Sequence, residues 1–435
     1  MREIVANEII AGLDIGTAKV SVIIGEWDGT ELNVLGIGTS HSEGLRRGMI
    51  VNMDKTVQSI AEAAEAAEIA AGVEIDSVYV GVAGEHIQSV NSRGAIDIPR
   101  GDRGISLKDI RRAFEAAKDV QIPMDRQVIH LLPQEFIVDD QRGIADPKGM
   151  HGVRLEVLVH IVTGAITSVQ NQYKCIKRAG LGVREMVLDA YGSSFAVLTN
   201  DEKELGVVLL DVGGGTTDMA LFFEGSIRHS AVIPLGGRNI TSDIAIGLRT
   251  PLEQAEEIKR QHCSAVNRSS EDDSLIEVPA DGGRSTRKVS SEQLSSIAGP
   301  RMEEIISLAN REVKKSGYYD LLGAGVVITG GGALMPGTVD LAEQVFGMPA
   351  RIGKPRRVSG LVESDTAPMH ATGIGLIMYG MESRDHKEWN GYLENSLICR
   401  MAGRMKQWFA DLLRRTWTQS GSVPCSITVA QNRRF

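Results

Sequence analysis

The chain's 435 residues are 42% apolar and 24% charged, with a formal net charge of −9. That is the balance of a soluble globular protein with two or three domains' worth of core, and its acidic total disfavours bulk nucleic-acid binding. The four cysteines, Cys175, Cys263, Cys399 and Cys425, show no CxxC spacing, so neither a zinc site nor a disulfide framework is expected, and a reducing compartment is. No apolar stretch reaches membrane-spanning length, and Asp14 interrupts the hydrophobic run near the N-terminus. The chain is therefore expected to be cytoplasmic unless something tethers it.

In chain order, an apolar strand over 9–13 runs into Asp14-Ile15-Gly16-Thr17-Ala18-Lys19 and out along a second strand, 20–24. A strand follows at 31–39. An Ala- and Glu-rich helix follows at 55–71, closed by Gly72. After a short buried strand at 78–82, residues 85 to about 160 read as a compact α+β module. Its strands are expected at 87–90, 94–98, 127–132, 135–138 and 154–162, with a helix at 107–118. His130 and His151 lie there without clustered ligand spacing, so no metal site is expected from them. A helix at 165–179 and a strand at 186–188 lead to Asp189 and a small-residue helix, 190–198.

The centre of the chain is Leu209-Leu210-Asp211-Val212-Gly213-Gly214-Gly215-Thr216-Thr217-Asp218. Apolar runs on both sides make it strand, tight turn, strand. Glycines let backbone N–H groups approach a phosphate, and threonine hydroxyls can donate to its oxygens. Asp211 and Asp218 are hard oxygen ligands suited to Mg²⁺ or its waters. The bland reading is an ordinary Gly-rich hairpin. The earlier hairpin at Asp14 has the same order, so two related halves are expected, each offering one phosphate-binding turn to a shared cleft. Neither a P-loop nor a Rossmann fingerprint is present. Gly236 and Gly237 then open a helix whose N-terminus suits anions. The next helix has Thr250 as expected N-cap and Pro251 at N1, and places Glu256 and Lys259 on one face. Residues 267–288 are polar, with short strands and an exposed loop. A long helix spans 291–315 and contains Arg301. A buried strand at 325–328 enters a third turn, Gly330-Gly331-Gly332. A helix at 338–346 follows, and 369–379 forms a second small-residue helix.

Residues 382–394 read as linker. Beyond them, apolar side chains at 397, 398, 401, 405, 408, 409, 412 and 413 form a helical stripe. Met401, Met405, Trp408, Phe409 and Leu412 lie on it, and Arg404 and Lys406 lie beside it. An aromatic apolar face with a cationic flank is the pattern of an interfacial membrane helix, although core helices are amphipathic too. Residues 420–435 are polar and without periodicity.

Two Asp-Gly-Thr hairpins and a late Thr-Gly-Gly-Gly turn resemble the superfamily of actin, DnaK-type chaperones and sugar kinases. Within it the chain is most similar to the FtsA family. The segments that carry this are His41 to Asn52, the run Ile129-His130-Leu131-Leu132-Pro133-Gln134-Glu135-Phe136, Pro147 to Glu156, Ala350 to Pro355, and the terminal stripe. The resemblance implies an α/β, actin-like two-domain fold of duplicated ribonuclease-H-like cores, with an inserted α+β subdomain and a C-terminal amphipathic helix. It divides the chain into a first core (1–84, 162–195, 367–383), the insert (85–161), a second core (196–245, 302–366), a small lobe (246–301), a linker (384–395), a membrane helix (396–418) and a tail (419–435).

The resemblance also implies ATP and Mg²⁺ as cofactors. The nucleotide would be held by Asp14, Gly16, Thr17, Lys19, Asp211, Gly213, Gly214, Gly215, Thr216, Thr217, Gly237, Glu256, Lys259, Gly330, Gly331 and Gly332. Asp14 and Asp211 would hold Mg²⁺ through water. Asp189 stands where the superfamily has an acid near the metal and attacking water; it is one carbon shorter than the Glu often found there, which puts efficient hydrolysis in doubt but not binding. The implied partners are the C-terminal peptide of FtsZ, met by Arg301, the chain itself in a filament, an anionic membrane surface at the division site, and other division proteins through the insert. A solvated Arg is the plain alternative at 301. A pilus-assembly relative of FtsA and a superfamily kinase are the other readings. A DnaK-like chaperone is excluded by the missing peptide-binding domain.

Overall fold

The computed structural model describes residues 8–28, 30–99, 104–266, 275–279, 286–360 and 366–385. The first hairpin is β1 (Glu8–Ile15) and β2 (Lys19–Trp27), followed by β3 (Leu32–His41) and the short pair β4 (Leu45–Arg46) and β5 (Met49–Ile50). Helix α1 (Met53–Ala71) is capped by Asn52, whose side chain accepts from Lys55 N, and closed by Gly72 in the left-handed region. Strand β6 (Ser77–Val82) ends the first stretch. The insert comprises β7 (Gln88–Asp97), α2 (Leu107–Ala117), β8 (Arg126–Val138), β9 (Gln141–Ile144) and β10 (Arg154–Ala165). Then come α3 (Ile166–Arg178), β11 (Gly182–Leu188), α4 (Asp189–Val197) and α5 (Asn200–Leu205). The second hairpin is β12 (Val207–Val212) and β13 (Thr217–Phe223), with β14 (Ser226–Ile233) after it. The chain continues through α6 (Gly237–Leu248), α7 (Leu252–His262), the pair β15 (Ile276–Pro279) and β16 (Thr286–Val289), and α8 (Ser291–Ser316). It ends with β17 (Gly325–Thr329), α9 (Thr338–Phe346), β18 (Ala350–Ile352), β19 (Val358–Gly360) and α10 (Ala371–Asp385).

The duplication is visible in the sheets. In the first, β3, β2 and β1 are antiparallel, and β6 and β11 extend the sheet in parallel beyond β1. In the second, β14, β13 and β12 are antiparallel, and β17 and β18 extend it in parallel beyond β12. Every residue of β12 is buried, as a central strand covered on both faces requires. One apolar cluster joins the two sheets through α4 and α10: Ile10, Ile23, Leu209 and Val327 pack with Ala190, Val197, Ile374 and Ile377.

Small residues make that junction close. A Cβ at Gly12 would lie 2.4 Å from Gly373 O, and one at Gly375 only 2.1 Å from Gly192 O. Helix α10 is buried on all sides over 371–380, so its glycines serve packing rather than flexibility.

The insert differs from expectation in its strands. The segments expected at 87–90 and 94–98 are one strand, β7, and those at 127–132 and 135–138 are one strand, β8. The register of β8 on β10 shifts where Pro133 pairs with Val159 and Glu135 with Leu158, leaving Gln134 as the extra residue of a bulge. Pro133 needs no ladder donor there. The bulge turns Gln134 onto the edge strand of the second core, where its Nε2 donates to Ile227 O at 2.8 Å. Asn91 Nδ2 and Ser89 Oγ of β7 donate to Arg228 O and Ser230 O of the same strand. His160 completes this polar seam, with Nδ1 on Asn91 Oδ1 at 2.6 Å and Nε2 on Ser230 Oγ at 2.8 Å. His130 is structural: its Nε2 accepts the Leu188 N–H at 3.0 Å. Strands β9 and β14 and helix α5 were not anticipated. Pro251 rather than Thr250 occupies the N-cap of α7.

No helix among the described residues is long and apolar enough to cross a membrane. The expected terminal helix, with Met401, Arg404, Met405, Lys406, Trp408, Phe409 and Leu412, lies outside the described residues, as does the tail from 420.

The close junction has a testable cost. Gly375→Ala places a methyl group against backbone and is expected to destabilise by about 1–3 kcal/mol. Gly331→Ala, which meets nothing within 4 Å, is expected to be near neutral. Thermal melts of the two variants side by side check this; equal melting would show that the helices do not need the contact.

Candidate functional site

Turn one, Gly16–Ala18, and turn two, Gly213–Thr216, cap hairpins of different sheets and meet face to face. A Cβ on Gly215 would lie 2.4 Å from Thr17 Oγ1, and one on Gly214 would lie 2.7 Å from Ala18 Cβ. Only glycine fits at either position without separating the turns. Turn two is closed by Gly213 N donating to Thr216 O at 2.9 Å. Thr17 Oγ1 accepts the Gly48 N–H at 3.1 Å, which ties turn one to the loop before α1.

The N-terminus of α6 lies against turn two. Gly237 N donates to Gly213 O at 2.9 Å and Arg238 N to Gly214 O at 2.8 Å, and Asn239 Oδ1 caps Gly236 N. These N–H groups, expected to face an anion, instead brace the turn. Thr217 Oγ1 donates to Leu235 O and helps to fix the same contact. Lys259 and Glu256 share one face of α7, as their spacing implies. Lys259 Nζ reaches Glu256 Oε2 at 2.6 Å, Thr241 Oγ1 at 2.9 Å and Gly237 O at 3.1 Å, which sets the pair beside turn two.

The third turn follows β17. Gly330, with φ +80°, donates its N–H to Pro368 O at 3.1 Å. A Cβ there would lie 2.4 Å from Asp211 Oδ1, and one on Gly332 would lie 2.3 Å from Val212 Cγ1. Gly331 faces open space. A cavity of about 320 Å³ continues from this turn, lined by Ala333, Leu334, Met335, Ile352, Lys354 and Pro368 among others. Lys354, which follows β18, was not anticipated as lining this site.

Four carboxylates converge between the turns: Asp14, Asp189, Asp211 and Asp218. Burial raises each of them. Asp14 rises to about 6, with Lys19 pulling it down and Asp211 pushing it up. Asp218 rises to about 8 through burial and then the charge of Asp211. Asp189, the first residue of α4, is pushed well above the carboxylate range by burial and by all three neighbours. Lys19 is the positive charge among them, itself lowered by burial; its Nζ donates to Met369 O at 2.8 Å.

Asp189 Oδ1 and Asp218 Oδ1 are buried acceptors without a hydrogen-bond partner. Such atoms are costly unless a donor or cation meets them. Among the described residues, no group of three or more His, Cys, Asp or Glu is arranged to ligate one metal directly. The two unmet carboxylate oxygens in this buried acidic cluster fit the donor waters of a hydrated cation such as Mg²⁺. Two further groups were missed: Ser193 of α4 and Thr372 of α10, whose hydroxyls both reach Asp211.

Arg301 sits apart on α8. Its guanidinium forms a two-point pair with Asp243 of α6, at 2.6 and 3.1 Å, and also meets Glu304.

Comparison with known proteins now decides the family. A model described as cell division protein FtsA matches residues 208–375, and one described as the SHS2 domain inserted in FtsA matches 84–163. A cell division protein FtsA of Pseudomonas aeruginosa is 47% identical over 386 residues, covering 88% of this chain and 92% of that protein. The chain belongs to the FtsA family. Among solved structures it is similar to the PilM–PilN type IV pilus biogenesis complex, with a TM-score of 0.61 and 16% identity over 85% of this chain and 98% of that one. It is also similar to MreB 5 of Spiroplasma citri bound to AMPPNP, with a TM-score of 0.53 and 15% identity over 88% and 99%. These two likenesses show the fold alone, which is the actin-like ATPase fold expected of an FtsA protein. The separate SHS2 match corresponds to the α+β insert of β7 to β10.

The carboxylates generate a pH prediction for the nucleotide-free protein. A carboxyl whose folded pKa is raised binds more protons folded than unfolded, so its contribution to stability is lost as pH rises from the unfolded to the folded value. For Asp218 that window runs from 3.8 to about 8. Urea denaturation at several pH values is expected to show stability falling across it, and Asp218→Asn is expected to flatten the fall and raise stability at the upper end. A variant with the wild-type slope would contradict the assignment.

Proposed function

We propose that this chain binds ATP with Mg²⁺ between its two cores and acts in cell division as a membrane-tethered filament that anchors FtsZ. The observation that carries the reading is the abutment of two glycine turns over a set of buried carboxylates. Family membership supports the division role. The description of the MreB neighbour as bound to AMPPNP supports a nucleotide.

Each group has a task in this reading. The backbone N–H groups of Gly214 and Gly215 and the hydroxyl of Thr17 meet the phosphates, Gly213, Thr216 and Thr217 hold turn two in shape through their bonds to Thr216 O, Asp218 and Leu235 O, and Lys19 supplies positive charge. Asp14 and Asp211 hold the hydrated cation, which supplies neutralisation of phosphate charge. The Glu256–Lys259 pair and the Gly330–Gly332 turn flank the nucleoside. Asp189 orients water; on its short side chain, binding rather than rapid turnover is the working step. Nucleotide between the cores fixes their relative angle, and that angle sets a head-to-tail contact, which propagates as a filament. The amphipathic segment 396–418 binds the inner face of the membrane, and many protomers give avidity to one weak anchor. The small lobe receives an acidic FtsZ peptide, for which Arg301 must exchange Asp243.

Co-sedimentation with anionic liposomes, ATP and FtsZ tests the proposal. The full chain is expected to pellet together with FtsZ, and a chain ending at residue 395 to leave both in the supernatant. Equal pelleting of the two forms, or a full chain that leaves FtsZ soluble, would overturn it.

A further inference from the structure

Asp211 is held from two directions. Ser193 Oγ on α4 donates to its Oδ2 at 2.7 Å, and Thr372 Oγ1 on α10 donates to the same oxygen at 2.9 Å. The two hydroxyls are 3.0 Å apart. Each carries one proton. With both protons on Oδ2, the hydroxyl–hydroxyl approach is a contact rather than a third hydrogen bond. Ser193 is fully buried and Thr372 nearly so. Oδ1 takes no hydrogen bond from either helix and lies against Gly330.

This convergence depends on the close helix contact. Gly375 is one turn beyond Thr372 on the same face of α10. A Cβ on Gly375 would lie 2.1 Å from Gly192 O and 3.1 Å from Ser193 Cα. The bare Gly192–Gly375 contact brings the two hydroxyls within reach of one oxygen. If the helices separated or slid, at least one hydroxyl would leave Asp211, and the buried carboxylate would lose a charge-assisted hydrogen bond.

We propose that Ser193 and Thr372 are positioning residues for the cation–phosphate site: together they fix the Asp211 carboxylate, so that the site is complete only while the two buried helices touch. This rests on the reading of the site as an ATP·Mg²⁺ site. It adds that cation binding reports on helix contact, and by linkage that the bound cation favours the contact.

The test is calorimetric titration of the full chain with ATP, in Mg²⁺ and in EDTA. Thr372→Val and Ser193→Ala are each expected to weaken binding in Mg²⁺ about tenfold, the scale of a lost hydrogen bond to a charged group. Binding in EDTA should change little, and Thr372→Ser should restore the wild-type value. Equal weakening in Mg²⁺ and EDTA, or a Ser variant as weak as the Val variant, overturns the proposal. A wild-type chain that binds no ATP defeats the functional reading instead. Hydrogen exchange of the nucleotide-free protein then decides the clamp: Thr372→Val should expose residues 211–217 to exchange and Thr372→Ser should not. Identical exchange in the two variants overturns it.

Discussion

Two turns from separate sheets meet with no room for a methyl group between them, and the rest of the molecule is arranged to keep that contact. Gly215 lies against Thr17 and Gly214 against Ala18. Behind the turns, α4 and α10 pack backbone to backbone through Gly192 and Gly375. In front of them, the N-terminus of α6 is spent on the carbonyls of turn two. Close packing of this kind makes the inter-core geometry discrete rather than elastic.

The contact has an electrostatic consequence. It gathers Asp14, Asp189, Asp211 and Asp218 in a buried space with Lys19 as the counter-charge, and burial then opposes their ionisation. Repulsion within the cluster favours either protonation or a bound cation. A polyanion with its metal ion, as proposed, would resolve the imbalance from both sides: the metal would answer the carboxylates, and the glycine turns and Lys19 the phosphates. In the proposed function the same features couple ligand binding to the angle between the cores. On the other flank, the polar seam of Gln134, Asn91, Ser89 and His160 fastens the insert to the second core. Apolar contacts lie beside it, with Val232 packed against the cluster of Ile129 and Val162, and Leu132 against that of Phe222 and Ile227.

Much of this was legible in the sequence because it is written locally. An Asp-x-Gly turn between apolar runs is a hairpin wherever it occurs, and two copies announce a duplicated fold. The alternating small residues of 190–198 and 369–379 foretold close helix packing. The Glu256–Lys259 spacing foretold a shared face. What escaped depends on distant partners. Pro133 and Glu135 look like a break between strands until β10 absorbs the extra residue as a bulge. Ser193 and Thr372 look like neutral small residues until Asp211 arrives between them. Arg301 looks free until Asp243, 58 positions earlier, is folded against it. Gly236 and Gly237 look like an anion site, but the Gly236 N–H is taken by Asn239 Oδ1 and the Gly237 N–H by Gly213 O of turn two.

The most direct measurement is calorimetric titration of ATP·Mg²⁺ into the full chain and its Gly215→Val variant. The valine must force Thr17 away from turn two, while leaving every proposed polar contact to nucleotide chemically present. The expected result is a Mg²⁺-dependent binding isotherm for the wild type and its loss in a variant that still melts as one cooperative unit. Unchanged affinity in the variant would mean that the two turns do not close around a shared ligand, and the central claim would fail.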